Sequence, residues 1–217
     1  MDHHPHLLRP DSTFFFLRSQ NFRSRVVLRK TTSGAEQQLY SSLRERNAIA
    51  SQLVTADDWG NYTVHSDDIS IYSLAQCHRD LSHDDCLQCY AASRTRLPHC
   101  LPSPSGRIFL DGCFLRYDNY SFFDERTDPV WDNVNCNSTV GVGVRDDMEF
   151  GKNAAELMDN LTAAAVANGG HAADGIKGVF GLAECWKTLS RDGCGECLAK
   201  ANREVKACMP SREGRAY

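Results

Sequence analysis

The sequence predicts an α+β protein made of two tandem copies of one disulfide-stapled module. Two observations carry that prediction. Cys77, Cys86, Cys89, Cys100 and Gly106-Arg107 recur as Cys185, Cys194, Cys197, Cys208 and Gly214-Arg215, each pair 108 residues apart with no gap. Leu81, Ser82, Asp84, Ala91, Pro102 and Ser103 recur at the same interval as Leu189, Ser190, Asp192, Ala199, Pro210 and Ser211. A fixed period of this length marks repeated structural units. The second observation is that helical and alternating patterns both occur inside each copy, which excludes an all-α or all-β chain.

Residues 1–30 show no periodicity and are expected to be poorly ordered. Within 31–126, the first domain, Leu39, Leu43, Ile49, Ala50 and Leu53 recur at helical spacing, predicting a helix over Ala35 to Leu53. Tyr62-Thr-Val-His and Ile69-Ser-Ile-Tyr-Ser-Leu alternate and are rich in β-branched and aromatic residues, so both read as strands. Ser82 and Asp85 resemble a capping box that opens a helix from about His83 to Leu97, stopped by Pro98. Asp111-Gly112 lies between two strand-like runs and predicts a hairpin. A tight turn there pairs Leu110 with Cys113 and Arg107 with Arg116, leaving Asp118 diagonal to Arg107 on one face.

Residues 127–143, rich in Asp, Asn, Pro and Gly, read as a linker. The second domain, 144–217, opens with a helix over Glu149 to Val166, ended by Gly169-Gly170. Strands over Ile176 to Phe180 and Leu182 to Cys185 follow, then a helix from about Gly193 to Cys208. The first copy continues into its Asp-Gly-Cys hairpin whereas the second reaches Tyr217, so the second domain is expected to be incomplete.

Ten cysteines in 217 residues suit an exported protein, whose small cores are commonly reinforced by cross-links. Four glycosylation acceptors, Asn61, Asn119, Asn137 and Asn160, point the same way. No signal peptide is visible, because Phe14-Phe15-Phe16-Leu17 is too short and is followed closely by Arg18, Arg23 and Arg25. No run approaches the roughly 20 apolar residues of a membrane span. A net charge of −4 argues against a nucleic-acid partner.

The spacing of Cys77, Cys86, Cys89 and Cys100, with Gly106-Arg107 and Asp111-Gly-Cys-Phe-Leu-Arg-Tyr117, resembles the plant Gnk2-homologous (DUF26) domain. The tandem form resembles the ectodomains of cysteine-rich receptor-like kinases and cysteine-rich repeat secretory proteins. This resemblance implies two helices packed on one antiparallel sheet per module. Spacing alone does not choose among cysteine pairings. The resemblance implies Cys77–Cys86, Cys89–Cys113, Cys185–Cys194 and Cys136–Cys208. It leaves Cys100 and Cys197 unpaired, because the partners the family carries for them are missing from this sequence. The chain is therefore expected to be an incomplete ectodomain.

One member of the family holds mannose with an Asn, an Arg and a Glu. By position Arg107 matches the Arg and Asp118, a shorter carboxylate, stands for the Glu, while the first module has no Asn. Asn137 and Arg215 match in the second module, without a carboxylate. Such a trio offers a donor fork and acceptors to vicinal hydroxyls. The plainer reading of Arg107 and Asp118 is a surface ion pair worth about 0–1 kcal/mol. Asn137 could instead carry a glycan.

Other chemistry fits less well. Cys86-x-x-Cys89 and Cys194-x-x-Cys197 could offer four thiolates to zinc, but more than a hundred residues separate them, against about 15–20 in paired knuckles. A redox role for either pair lacks the flanking βαβ pattern. His78-Arg79-Asp80-Leu81 mimics a kinase catalytic loop without its Asn or the glycine-rich loop. No nucleophile and base can be named, so no enzyme and no cofactor are expected. Trp59, Trp131 and Trp186 read as packing residues. The resemblance implies a non-catalytic extracellular recognition unit in plant stress or defence signalling. Its ligand would be a glycan or a protein, with association among related receptors open. A secreted mannose-binding antifungal protein and an adhesion or co-receptor module are the alternatives.

Overall fold

The computed structural model describes residues 13–17, 56–65, 70–100, 103–137, 144–209, 211 and 213–216. The helix expected over Ala35 to Leu53 lies outside them. The described elements divide into two compact units.

The first unit holds a four-stranded antiparallel sheet of β2 (Trp59–His65), β3 (Ser70–Cys77), β4 (Gly106–Phe109) and β5 (Cys113–Asp118), in the order β2-β3-β5-β4. Helix α1 (His83–Arg96) and a 3-10 turn (Leu97–Cys100) belong to it. So does the later segment Trp186–Gly193.

Side chains alternate along a strand. Ile71, Ala75, Cys77, Ile108, Cys113, Leu115 and Tyr117 cluster with Cys86 and Tyr90 of α1. The intervening Leu74 and Phe114 cluster instead with Phe122, against which Trp59, Tyr72, Phe109, Phe123 and Trp186 pack. Both faces of β3 and β5 are therefore covered, which is why β5 is buried at every position.

Helix α1 begins where Ser82 Oγ accepts from the Asp85 amide (3.2 Å) and donates to the Asp85 carboxylate (2.6 Å). Asp84 and Asp85 in its first turn and Arg94 and Arg96 in its last complement the helix dipole. Its sequence, HDDCLQCYAASRTR, has little apolar content. Attachment comes from sulfur. Cys77 and Cys113 are register partners on neighbouring strands, and Cys86 and Cys89, three apart on the helix, bond them respectively. One helical face is thereby joined to two adjacent strands.

The hairpin register is Arg107 opposite Arg116, with the Leu110 amide donating to the Cys113 carbonyl (2.9 Å). Gly112 does not take a left-handed φ there. A Cβ there would stand 2.6 Å from Leu81 Cδ1 and 3.3 Å from Cys89 Sγ, so any larger residue would displace the Leu81 side chain.

The second unit contains β1 (Thr13–Leu17), β6 (Val134–Asn137), β7 (His171–Ile176), β8 (Val179–Glu184) and β9 (Glu213–Ala216), ordered β6-β9-β1-β8-β7. Helices α2 (Val144–Ala167) and α3 (Arg191–Ala207) complete it, apart from the first residues of α3, which cluster with the first unit. Leu157, Met158, Leu161 and Ala165 of α2, Val179, Leu182 and Ala183 of β8, and Leu198 and Val205 of α3 are buried. Cys185–Cys194 and Cys136–Cys208 are bonded.

Four details differ from the sequence expectations. Thr13–Leu17, inside the segment expected to be poorly ordered, is a strand, pairing in parallel with both β8 and β9. Val134–Asn137, inside the expected linker, pairs with β9. Helix α2 starts five residues earlier than expected, at Val144. Finally, the β7–β8 turn falls at Lys177-Gly178, with φ of 47° and 84°, so the first strand ends at Ile176 instead of running to Phe180. Two successive left-handed residues fit a tight hairpin turn, and Lys is an uncommon occupant of the first position.

Candidate functional site

On the sheet face of the first unit turned away from α1, the even-numbered positions of β5 place Phe114, Arg116 and Asp118 side by side. Arg116 is the largest fully buried side chain in the described structure. Its Nη1 donates to Glu125 Oε1 (2.8 Å), and its Nη2 donates to Asp118 Oδ2 (3.1 Å), Tyr120 OH (2.9 Å) and Glu125 Oε2 (3.3 Å). The Tyr120 hydroxyl donates in turn to Glu125 Oε2 (2.6 Å). The guanidinium carbon lies 4.0 Å from the Phe122 ring centre and 5.4 Å from that of Trp186. Trp186 itself stacks on Phe114, centroids 5.0 Å apart. Aromatic faces attract a desolvated cation, so the rings offset part of the cost of burying it. Arg116 Nε, buried as well, has no hydrogen-bond partner.

A second arginine extends this network outward. Arg107 Nη2 donates to Asp128 Oδ2 (2.7 Å) and, less closely, to Glu125 Oε1 (3.4 Å). Side-chain exposure separates an inner pair from an outer one: 0% and 9% for Arg116 and Asp118, against 14% and 13% for Arg107 and Asp128. Glu125, at 20%, bridges the two arginines. Three carboxylates thus face two guanidinium groups.

Burial pushes the Asp118 carboxyl above its ordinary value, with Arg116 acting against that shift by its charge and its hydrogen bond. Burial, reinforced by the bond to Glu125, pushes the Tyr120 phenol up to about 12. It therefore remains a neutral donor over the whole physiological range.

Arg107 acts on Asp118 by its charge, which lowers the carboxyl pKa, but the close ion pair of Asp118 is with Arg116. Arg116 lies two residues from Asp118 on the same strand and face, and supplies its ion pair, while the Asn119 amide donates to its other oxygen (3.1 Å). Arg107 reaches Asp128 and Glu125 instead. Sequence reasoning missed Glu125, Asp128, Tyr120 and Phe122, all outside regular elements, where no periodicity flags them. Arg116 carried a detectable signal, as a charged residue inside an otherwise apolar strand.

In the second unit Asn137 is opposite Glu213 and Arg215 opposite Asn135, so Asn137 and Arg215 are two register steps apart. Of the glycosylation acceptors, Asn61 on β2, Asn119 after β5 and Asn160 on α2 are exposed. Cys100 and Cys197 are thiols. Cys100 is buried, which raises its pKa. Burial, aided by nearby Asp132, pushes Cys197 up to about 11. Both are protonated at neutral pH and so weakly nucleophilic. Cys86, Cys89 and Cys194 are spent in disulfides and have no thiolate to give a metal. Among the described residues no cluster of three or more metal-ligating side chains occurs. No described helix is long and apolar enough to cross a membrane.

The profile of the salt stress response/antifungal family matches residues 27–120 and again 135–217. Cysteine-rich receptor-like protein kinase 42 of Arabidopsis thaliana is 48% identical over 147 residues, which is 68% of this chain and 22% of the kinase. Cysteine-rich receptor-like protein kinase 2 of the same plant is 44% identical, over 67% of this chain and 23% of its own length. The chain thus spans roughly a quarter of the length of these relatives. Among solved structures, the tandem DUF26 ectodomain of the Arabidopsis thaliana cysteine-rich receptor-like protein PDLP8 superposes with a TM-score of 0.74. That match is at 23% identity and covers 88% of this chain and 89% of the other.

Proposed function

The chain belongs to the salt stress response/antifungal family, and on that premise we propose that it is a non-catalytic extracellular recognition module of the receptor-like kinase ectodomain type, acting in stress or defence signalling. The observation that carries this reading is the repeated sulfur framework. Cys77–Cys86 and Cys185–Cys194 close equivalent nine-residue separations, and each unit has one further bridge. Four such bonds persist in oxidising compartments and are rare in the cytosol. Kinase relatives with much longer chains support the same reading. The test is export from plant cells followed by disulfide mapping and capture of a bound extracellular glycan or protein. Four bridges with Cys100 and Cys197 free are the expected result. A product retained in the cytosol with ten reduced thiols overturns it.

A mannose-binding reading is favoured by one observation, the partly exposed pair of Arg107 and Asp128. These set a donor fork on the edge strand β4 beside an acceptor from the loop that follows β5, as a vicinal diol requires. Arg107 is already committed to two carboxylates, so a sugar would have to share or displace them. Mannan binding that disappears in Arg107→Ala supports the reading. Absence of mannan binding in the unaltered protein removes it.

A further inference from the structure

The sheet face of the first unit that carries Arg116 is also rich in aromatic rings, and an acceptor for an N-linked glycan stands among them. Alternation along β2 puts Trp59, Asn61, Thr63 and His65 on one face. Register says which face it is. Asn61 is opposite Leu74, which clusters with Phe114 and Phe122 on the side away from α1, and Thr63 is opposite Tyr72. Trp59 and Tyr72 pack against that cluster. The Tyr72 ring meets Phe123 at 5.9 Å and His65 at 6.0 Å, edge to face in both cases. Asn61 itself is exposed, while Trp59, Tyr72 and Phe123 are only partly buried. Trp59 precedes Asn61 by two residues, about 7 Å along the strand, and Tyr72 lies diagonally across from it. Thr63, which completes the acceptor sequence, shares the same face.

We propose that Asn61 carries a glycan whose innermost N-acetylglucosamine packs on Trp59 and Tyr72, which makes the sugar a structural part of the first unit. The proposal rests on the exported reading above, because this modification belongs to the secretory route. In the attachment reaction the Asn61 side-chain nitrogen bonds the anomeric carbon of the sugar and loses a proton. The diphosphate of a polyprenyl-linked oligosaccharide donor departs. Attachment at Asn61 holds the sugar within reach of both rings, so contact requires little further ordering. A pyranose presents an apolar face of C–H groups, slightly positive, which suits the negative face of an aromatic ring. Stacking there withdraws aromatic surface from water while the sugar hydroxyls stay solvated. The other exposed acceptors are placed differently. Asn119 precedes Tyr120, whose hydroxyl is engaged by Arg116 and Glu125. Asn160 lies on α2, where the Thr162 hydroxyl of its acceptor sequence donates to the Met158 carbonyl (2.8 Å) and accepts from Asn202 Nδ2 (3.3 Å).

The test uses the full chain secreted by plant cells, with glycopeptide mapping and an endoglycosidase that leaves a single N-acetylglucosamine. Asn61 should be occupied, and the trimmed protein should melt about 4 °C or more above Asn61→Gln. In a Trp59→Leu background that advantage should fall by at least half. Equal melting of the trimmed protein and Asn61→Gln, or an advantage untouched by Trp59→Leu, overturns the proposal. A disulfide-bonded product with Asn61 bare overturns it and leaves the exported reading standing, whereas a bare chain with reduced thiols overturns both. Because Trp59→Leu could fail to fold, a second measurement uses the unaltered, trimmed protein. Nuclear Overhauser contacts should join the N-acetylglucosamine protons to the Trp59 indole or the Tyr72 ring. A sugar without such contacts refutes the packing.

Discussion

Replacing Arg116 by Met tests how the first unit tolerates charge in its interior. Methionine fills much of the same space without the guanidinium, so the perturbation is electrostatic rather than a cavity. It leaves Asp118, buried, and Glu125, largely covered, without their principal cation, and it removes the cation lying 4.0 Å from Phe122. Removing one partner of a buried pair costs about 3–5 kcal/mol, a large share of the roughly 5–15 kcal/mol by which domains are stable. The pH dependence gives a second readout. Burial already holds the Asp118 carboxyl above its ordinary value of 3.8, and Arg116 is the leading influence against that shift. Without Arg116 the folded-state value climbs further. Between 3.8 and that raised value the folded state keeps a proton that the unfolded state has released, so stability falls as pH rises through the window and returns as pH drops. Arg116→Met should therefore lose about 3–5 kcal/mol at pH 7 and recover part of it on acidification. Urea unfolding followed by tryptophan fluorescence reports both, since Trp186 lies 5.4 Å from the guanidinium. A loss below about 1 kcal/mol at pH 7, the range of a solvated pair, refutes the reasoning. So does a deficit that widens on acidification.

Three further outcomes follow from the framework and the turns. Cys136 and Cys208 are 72 residues apart, and loop-closure entropy assigns their bridge about 4.4 kcal/mol, against about 2.6 kcal/mol for the nine-residue Cys185–Cys194 separation. Calorimetry of Cys136→Ser/Cys208→Ser should show the larger loss, and the reverse order would count against the entropic account. At the β7–β8 turn, Gly178→Ala should cost about 1 kcal/mol while Lys177→Gly costs nothing or stabilises, because both positions have positive φ; equal effects in thermal melts would contradict this. With its pKa pushed up to about 11, Cys197 is roughly 0.1% thiolate at pH 8, so iodoacetamide should label it about 100-fold more slowly than an ordinary thiol. Rapid labelling of the folded protein would show that the thiol is not shielded.

What could be read ahead of the structure depended on whether a feature was local. The Asp111-Gly112 hairpin and its Arg107–Arg116 register followed from the Asp-Gly turn signal and the assumption of a tight turn. The limits of α1 followed from Ser82 and Pro98 to within a residue or so. The β7–β8 turn was misplaced because β7, HAADGI, lacks an apolar face and Lys177 gives no hint of a left-handed backbone. β1 could not be anticipated, since its partners are far away in the chain and no local pattern encodes them. The same division applies to the site. Arg107 and Asp118 were visible by position, but which cation meets which carboxylate depended on Glu125 and Asp128 arriving from an irregular loop. Asp118 was expected to meet Arg107 across the hairpin. The guanidinium of Arg116, two residues along its own strand, bonds it at 3.1 Å, and Arg107 acts on it by charge.

The two rivets joining α1 to its sheet have a consequence for change over time. A helix that adheres through grease must keep a greasy stripe, and most substitutions along that stripe are penalised. Here Cys86 and Cys89 hold the element, while Gln88 and Ala91 look outward with little duty in packing. Those outward positions can diversify freely without loosening the scaffold. The helix surface above can change its chemistry while the metalwork beneath stays the same.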